Sequence, residues 1–336
     1  MIENTTTMKT ALTFIVVVVI SIASMDISYP QSSGDYNRSN LNLSKKENFY
    51  RCDNLQLYPI HGSVAFLNYY KKLGPYLSLQ EAMTNHKILV TEVGRDNDIM
   101  EESQFDQLVM VGGAEVNTLF VENISADTIL ILGGEVVRGG KQDRMIAQDF
   151  LLFPGSGKVD ISVFCVEHGR WTAQGDDMSF NVTLDMAPAK VRKAGTETLN
   201  QKVVWEEVED IVMREDIKIT TGALAHAVET KAYIDRMKKY EECFTAGWPE
   251  TVVGVIAIVG SEIVGGDIFA SHTLFEKYFP CLLNSYSSEA AWKDEEITVK
   301  RKDVEKYLDD ILKQSIPKDK VGAQTGKYRL HVSALE

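Results

Sequence analysis

Between Lys87 and Glu167 the chain is a succession of short apolar runs rich in Val, Ile, Leu and Phe, cut by glycines and charged pairs. Runs of that length and composition predict strands over Lys87–Val93, Gln107–Val111, Glu115–Val121, Thr128–Val137, Met145–Phe153 and Val159–Glu167. The links between them are too short for crossover helices, so antiparallel pairing is expected. After Ala187 the period lengthens. Leu199, Val203, Val204, Val208, Ile211 and Val212 recur at helical spacing with Glu206, Glu207, Glu209 and Asp210 on the other faces, which predicts an amphipathic helix. Thr221–Phe244 holds no proline and predicts a second helix, with Leu224, Val228, Ala232, Ile234 and Met237 toward the core. Val252–Val259 and Ile263–Phe269 flank a Gly260–Ser261 turn as a hairpin. Ser271 suits the cap of a helix starting near His272, Pro280 is expected to break or restart it, and Cys281–Trp292 and Arg301–Gln314 extend the helical part. There is no internal repeat. Strands first and then helices with a late hairpin predict an α+β fold: a largely antiparallel sheet or sandwich in the N-terminal part, helices and a β-hairpin in the C-terminal half.

The first residues follow a different logic. Ala11–Ala23 is one apolar run, shorter than the roughly 20 residues a spanning helix needs, and small residues at Ser21 and Ala23 suit a signal peptidase. This predicts a signal peptide over residues 1–24, cleaved after Ala23 or Ser24, with an uncleaved anchor as the alternative. Glu3 offsets Lys9, and a start at Met8 would restore the positive amino end such peptides carry. The segment 25–50, rich in Ser, Asn, Lys and Gly, is expected to be a disordered lead-in, and 51–336 a single α+β domain. No cysteine follows the apolar run until Cys52, so a lipid-attachment site is missing and a secreted or periplasmic protein without stable membrane insertion is expected.

Composition narrows the partners. With 35 Lys and Arg against 48 Asp and Glu the net charge is −13, and no basic block offsets it, which argues against a nucleic-acid surface. Cys52, Cys165, Cys243 and Cys281 form no CxxC pair, so a zinc knuckle is excluded on spacing. Export permits disulfides in any of three pairings. A domain this large does not need them, and free or buried thiols are the favoured expectation. Asn37, Asn42, Asn123 and Asn181 head glycosylation triplets. The histidines outside the segment below are isolated, so no metal site is expected from near neighbours, and no cofactor is indicated.

The chemistry-bearing residues concentrate between Gly133 and Trp171. Two Gly-Gly pairs surround Glu135 and Arg138, and Lys141, Gln142 and Arg144 follow. Paired glycines let backbone amides converge on an anion, and Arg and Lys add charge-assisted contacts, so these five side chains are candidate ligand-binding residues for a small anionic partner. Neither GxxxxGK[ST] nor GxGxxG is present, and a plain β-turn with solvated cations accounts for the same pattern. Beyond the strand ending near Val166, Glu167 and His168 are candidate acid-base residues, with Arg170 to orient an anion and Trp171 to stack. In a regular strand Glu167 and His168 face opposite ways, so their cooperation requires a turn or bulge. Cys165 sits in an apolar strand and reads as a buried inert thiol, and Asp267 stands where a carboxylate could face a cleft, though a polar residue at a strand exit is the commoner explanation.

Taken together, GGEVVRGGKQDR, then VFCVEHGRW, then VGVIAIVGSEIVGGDIFASHTLFEKYFPCLLNSYSSEA resemble the ARG and Rhodanese-Phosphatase-superfamily-associated Protein domain, from roughly Asn54 to the end. The resemblance implies a link to nucleotide or ADP-ribose metabolism as context, and carries no established reaction or catalytic residue. The expected function is therefore an exported domain that binds or hydrolyses a small anionic ligand of nucleotide, ADP-ribose or sugar-phosphate type. The alternative is a non-catalytic envelope or protein-interaction domain.

Overall fold

A computed structural model describes residues 33–45, 50–92, 117–167, 169, 179–215, 223–313, 322–325 and 328–331. In chain order these residues form β1 (Leu41–Leu43), β2 (Arg51–Cys52), β3 (Leu55–Gly62), α1 (Val64–Tyr69), β4 (Leu77–Ser78), α2 (Leu79–Thr84), β5 (Ile88–Glu92), β6 (Thr118–Asn123), β7 (Ile129–Ile131), β8 (Glu135–Gly139), β9 (Arg144–Ile146), β10 (Phe150–Leu152), β11 (Lys158–Cys165) and β12 (Phe180–Met186). They continue as α3 (Ala189–Lys193), a π turn (Ala194–Thr198), α4 (Gln201–Arg214), α5 (Leu224–Val228), α6 (Lys231–Cys243), β13 (Val252–Val259), β14 (Glu262–Phe269), α7 (His272–Trp292), α8 (Arg301–Leu312), β15 (Gly322–Thr325) and β16 (Tyr328–His331).

Three sheets result. The largest runs β1-β3-β13-β14-β16-β15 with β2 beside β3, and every pair in it is antiparallel except β14 with β16. A second runs β12-β8-β9-β11-β6-β5, antiparallel throughout, and a three-stranded sheet β10-β7-β4 accompanies it. The α+β class is as expected, with mostly strands up to β12 and mostly helices around the β13–β14 hairpin after it; that the two parts share a sheet is not. β3 was not foreseen, and it lies between β1 and β13, so residues from both ends of the chain share one sheet. Leu41 and Leu43, inside the segment expected to lack structure, are buried in that sheet's edge strand because their alternation puts both on the core face.

Burial explains the strand patterns. β13 is buried at all eight positions because it is central and covered on both faces. Leu57, Val255 and Ala257 meet Phe275, Tyr278 and Leu282 of α7 on one side, and Ile60, Ile256 and Ile258 meet Val304 and Leu308 of α8 on the other. The six-stranded sheet repeats the scheme with period two. Val137, Ile146 and Val163 face one core with Ile131 and Leu79, and their neighbours Val136, Met145 and Phe164 face another with Val204, Val208 and Leu224.

Local geometry corrects several boundaries. The run Thr128–Val137 is two strands, because Gly134 at φ +100° turns the chain after Leu132. Met145–Phe153 likewise divides into β9 and β10. Thr221–Phe244 divides at Thr230, whose hydroxyl accepts the Tyr233 N–H and starts α6 afresh, so Tyr233, Met237 and Tyr240 are buried and Ile234 is exposed. Leu199 precedes α4 in a left-handed conformation and is exposed, not part of the core. The hairpin β13–β14 and the Ser271 cap stand as expected, the Ser271 hydroxyl accepting the Leu274 N–H. Pro280, in contrast, lies inside one continuous helix. A proline there costs about 3 kcal/mol. Burying Phe275, Tyr278, Leu282 and Tyr286 at roughly 1.5–3 kcal/mol each outweighs it.

The thiol expectation is also corrected: Cys52 and Cys243 form a disulfide that ties β2 to α6, while Cys165 and Cys281 remain thiols. The expected strand Gln107–Val111 and the signal peptide lie outside the described residues. No helix among the described residues is long and apolar enough to cross a membrane.

Candidate functional site

The segment singled out in the sequence folds as the β8–β9 hairpin with β11 beside it, which brings its two strand ends together. Cys165 pairs with Arg144 in register, and the Asp143 N–H donates to the Glu167 carboxylate at 3.3 Å. Gly139 and Gly140 both take positive φ at the hairpin turn. A Cβ on Gly139 would stand 2.5 Å from the Ser179 carbonyl oxygen, so glycine serves close backbone approach here.

At the centre of this hairpin end is a buried polar cluster. The Arg144 side chain is 2% exposed and Gln142 is wholly buried. Arg144 Nη1 donates to Gln142 Oε1 at 2.9 Å, and Nη2 lies 3.4 Å from Glu92 Oε1, which also accepts the Lys141 N–H at 2.9 Å. Two donors in this cluster, Gln142 Nε2 and Arg144 Nε, have no acceptor among the described residues. Glu92 was not singled out from the sequence. Its signal was there: Ile88, Val90 and Glu92 share strand parity, so a charge stands on the face that carries the two buried aliphatics.

The other predicted residues separate. Arg138 donates to Glu229 at 2.6 Å and lies 3.6 Å from Asp143, so its charge is already matched within the chain. Lys141 is half-buried and carries no ion pair among the described residues. Glu135 is buried at the far end of β8, where its carboxylate accepts the Leu132 N–H at 2.6 Å, away from the Gln142–Arg144 cluster. Glu167 is buried and bridges to Ala223. His168, Arg170 and Trp171 lie outside the described residues. Cys165 has its backbone clamped by both ends of the Gln201 amide, and burial, with Glu92 and Glu167 assisting against Arg144, pushes its thiol up to about 11, so it stays protonated at neutral pH.

Of a second buried centre the sequence reading singled out Asp267 alone. Arg192 Nη1 and Nη2 reach the two oxygens of Asp267 at 3.1 and 2.6 Å, the Tyr286 hydroxyl donates to the same carboxylate, and Arg192 Nε donates to the Gly133 carbonyl at 3.2 Å. Arg192 and Asp267 are each 1% exposed. Burial works against charge on Arg192, but Asp267 outweighs it and keeps the guanidinium protonated; burial and Asp267 push the Tyr286 hydroxyl far up. Gly133–Gly134 now has a structural reason: a Cβ on Gly134 would stand 2.5 Å from Arg192 Cγ. The first glycine pair makes room for an arginine, not for an anion.

Above this centre a cleft of ≈ 470 Å³ opens between α3, the π turn and the start of β14. Lys190, Lys193, Glu207, Glu262 and Glu289 line it over an apolar floor that includes Val203 and Val264. Glu289 is buried, accepts the Lys190 N–H at 3.3 Å, and is pushed up by desolvation in spite of the Lys190 charge. Among the described residues no group of three or more His, Cys, Asp or Glu side chains is placed to hold a metal ion.

Comparison with known proteins gives one finding. A family model, described as the ARG and Rhodanese-Phosphatase-superfamily-associated Protein domain, matches residues 45–335. No curated protein and no solved structure matches the chain.

Proposed function

Given that the chain belongs to the ARG and Rhodanese-Phosphatase-superfamily-associated Protein domain family, we propose that it binds a small ligand through anionic oxygens at the Gln142–Arg144 cluster. One observation carries the reading: Gln142 Nε2 and Arg144 Nε are buried N–H donors without acceptors among the described residues. Leaving a buried donor unpaired costs roughly 1–3 kcal/mol, and more on a charged group, so a ligand oxygen between them would recover that energy. Phosphate or carboxylate oxygens of a nucleotide, ADP-ribose or sugar-phosphate-like compound supply such acceptors. Lys141, part-exposed and without an ion pair among the described residues, adds a second cation close by. In this reading Glu167 holds the Asp143 N–H and so orients the loop that carries Gln142, and the function is binding.

The test is a thermal-shift screen against nucleotides, ADP-ribose and sugar phosphates. A ligand present at about a hundred times its Kd stabilises the native state by roughly 2.7 kcal/mol, enough to raise the midpoint measurably. Gln142→Glu removes the free donor and gives Arg144 a carboxylate of its own, so the shift is expected to vanish in that variant. A panel with no effect, or the same shift in Gln142→Glu, rejects the reading.

A non-catalytic structural or interaction domain is the second reading, favoured by the pairing of Arg138 with Glu229 and of Arg144 with Glu92. It predicts that no member of the panel shifts the midpoint.

Export is part of the proposal. The Cys52–Cys243 disulfide supports it, since such bonds persist in oxidising compartments and are rare in reducing ones. Intact-mass analysis of the protein recovered outside the cytoplasm is expected to show a chain lacking residues 1–23 or 1–24, with two alkylatable thiols before reduction and four after it. A full-length chain with four free thiols refutes export.

A further inference from the structure

The cleft beside α3 is independent of the Gln142–Arg144 cluster, and its charges are left incompletely matched. Lys190 Nζ is 3.9 Å from Glu289, and Lys193 Nζ is 4.0 Å from Glu197, both beyond hydrogen-bonding distance. Glu207 of α4, which also lines the cleft, is half-buried and has no ion pair among the described residues, and its neighbour Glu206 stands 3.8 Å from Lys202. Glu262 is taken by Lys293 at 2.5 Å. Two ammonium groups and one carboxylate thus face the same space with capacity to spare. The volume, ≈ 470 Å³, falls within the roughly 300–1,000 Å³ of small-molecule sites.

The sign of the lining decides the ligand class. Two lysines stand with three glutamates, so a simple anion attracted to Lys190 and Lys193 also meets Glu207, Glu262 and Glu289. A simple cation meets the converse problem. A molecule carrying both signs satisfies both, and Val203, Ile263 and Val264 in the lining suit an apolar side chain. The walls are also held rigidly: Arg192 of α3 is locked to Asp267 of β14 and, through that carboxylate, to Tyr286 of α7. A smaller recess sharing Ala189, Lys193 and Val264 leads down to that centre.

We propose that this cleft is a second binding site, for a small zwitterion of the apolar amino-acid or dipeptide type, its carboxylate held by Lys190 and Lys193 and its ammonium by Glu207. Titration calorimetry of the protein with leucine, phenylalanine and Leu-Leu, beside N-acetyl-leucine and leucinamide as controls, tests it. Saturable binding of at least one zwitterion is expected, with both controls failing. Lys193→Ala and Glu207→Gln alter part-exposed side chains and are expected to leave the unliganded melting midpoint nearly unchanged while weakening binding about tenfold or more. Gln142→Glu is expected to leave it intact. No heat from any zwitterion at millimolar concentration, equal binding of N-acetyl-leucine, or unaltered binding in both cleft variants overturns the proposal.

Discussion

Asp267 is the residue on which the buried ion centre turns. Replacing it with Asn keeps the shape but leaves Arg192 with an uncompensated charge in the interior, and breaking a buried pair from one side costs about 3–5 kcal/mol. Asp267→Asn is therefore expected to lower the denaturation midpoint sharply, and Tyr286→Phe, which removes one hydrogen bond, by about 1 kcal/mol. Gly134→Ala adds a methyl at a positive φ and against Arg192, so a loss exceeding 1 kcal/mol is expected in urea unfolding. These residues were poorly legible beforehand for a definite reason. Arg192 and Asp267 are 75 positions apart, and no local pattern joins them; Glu92, by contrast, was readable from strand parity alone. The hairpin-end residues Gln142 and Arg144 were found through their glycines, yet the sequence could not show that Arg138 and Arg144 meet carboxylates from Glu229 and Glu92.

At the level of elements, apolar runs read correctly as strands even where both faces are buried, as in β13, and the misses came where turn residues interrupt a strand or hide inside a run. β3 reads poorly as a strand because Pro59, His61 and Gly62 interrupt it, and only its place between β1 and β13 makes it one. Thr128–Val137 reads too well, since its apolar run hides the Gly133–Gly134 turn. Two carboxyls link elements and titrate in opposite directions. Burial pushes Glu81 up, but hydrogen bonds from Lys277 of α7 and Ser78 outweigh it and hold the carboxyl below its ordinary range. That contribution is present above the unfolded-state pKa and is lost as pH falls through the lowered folded value. Glu81→Gln is thus expected to reduce stability modestly at about pH 7, by roughly 0.2–1 kcal/mol, and to make no difference once both states are protonated. Glu289 runs the other way. Its folded pKa is raised, so its favourable contribution is full below the unfolded value and is lost as pH rises through the folded one. Glu289→Gln is expected to gain on the native chain as pH rises from about 4 to 7, as followed by thermal melts across that range.

For the molecule as a whole, the α+β class was legible from the order of textures, but the joining of early and late strands into one sheet was not, because long-range pairing leaves no mark on local composition. The same holds for the disulfide: four spaced cysteines do not say which pair meets, and Cys52 reaches Cys243 only because β2 lies against α6. Cys52→Ser with Cys243→Ser is expected to cost about 2–4 kcal/mol, seen as a lower midpoint matched by the wild type under reductant. Asn123, although it heads a glycosylation triplet, is 3% exposed and donates to the Asp127 and Leu152 carbonyls, so glycan is expected to be absent there in any host. The bond between Cys52 and Cys243 spans 191 positions and encloses β3 through β12. A protease that nicks the chain once anywhere inside that span leaves two fragments that migrate as a single species on a non-reducing gel and part only when a thiol is added.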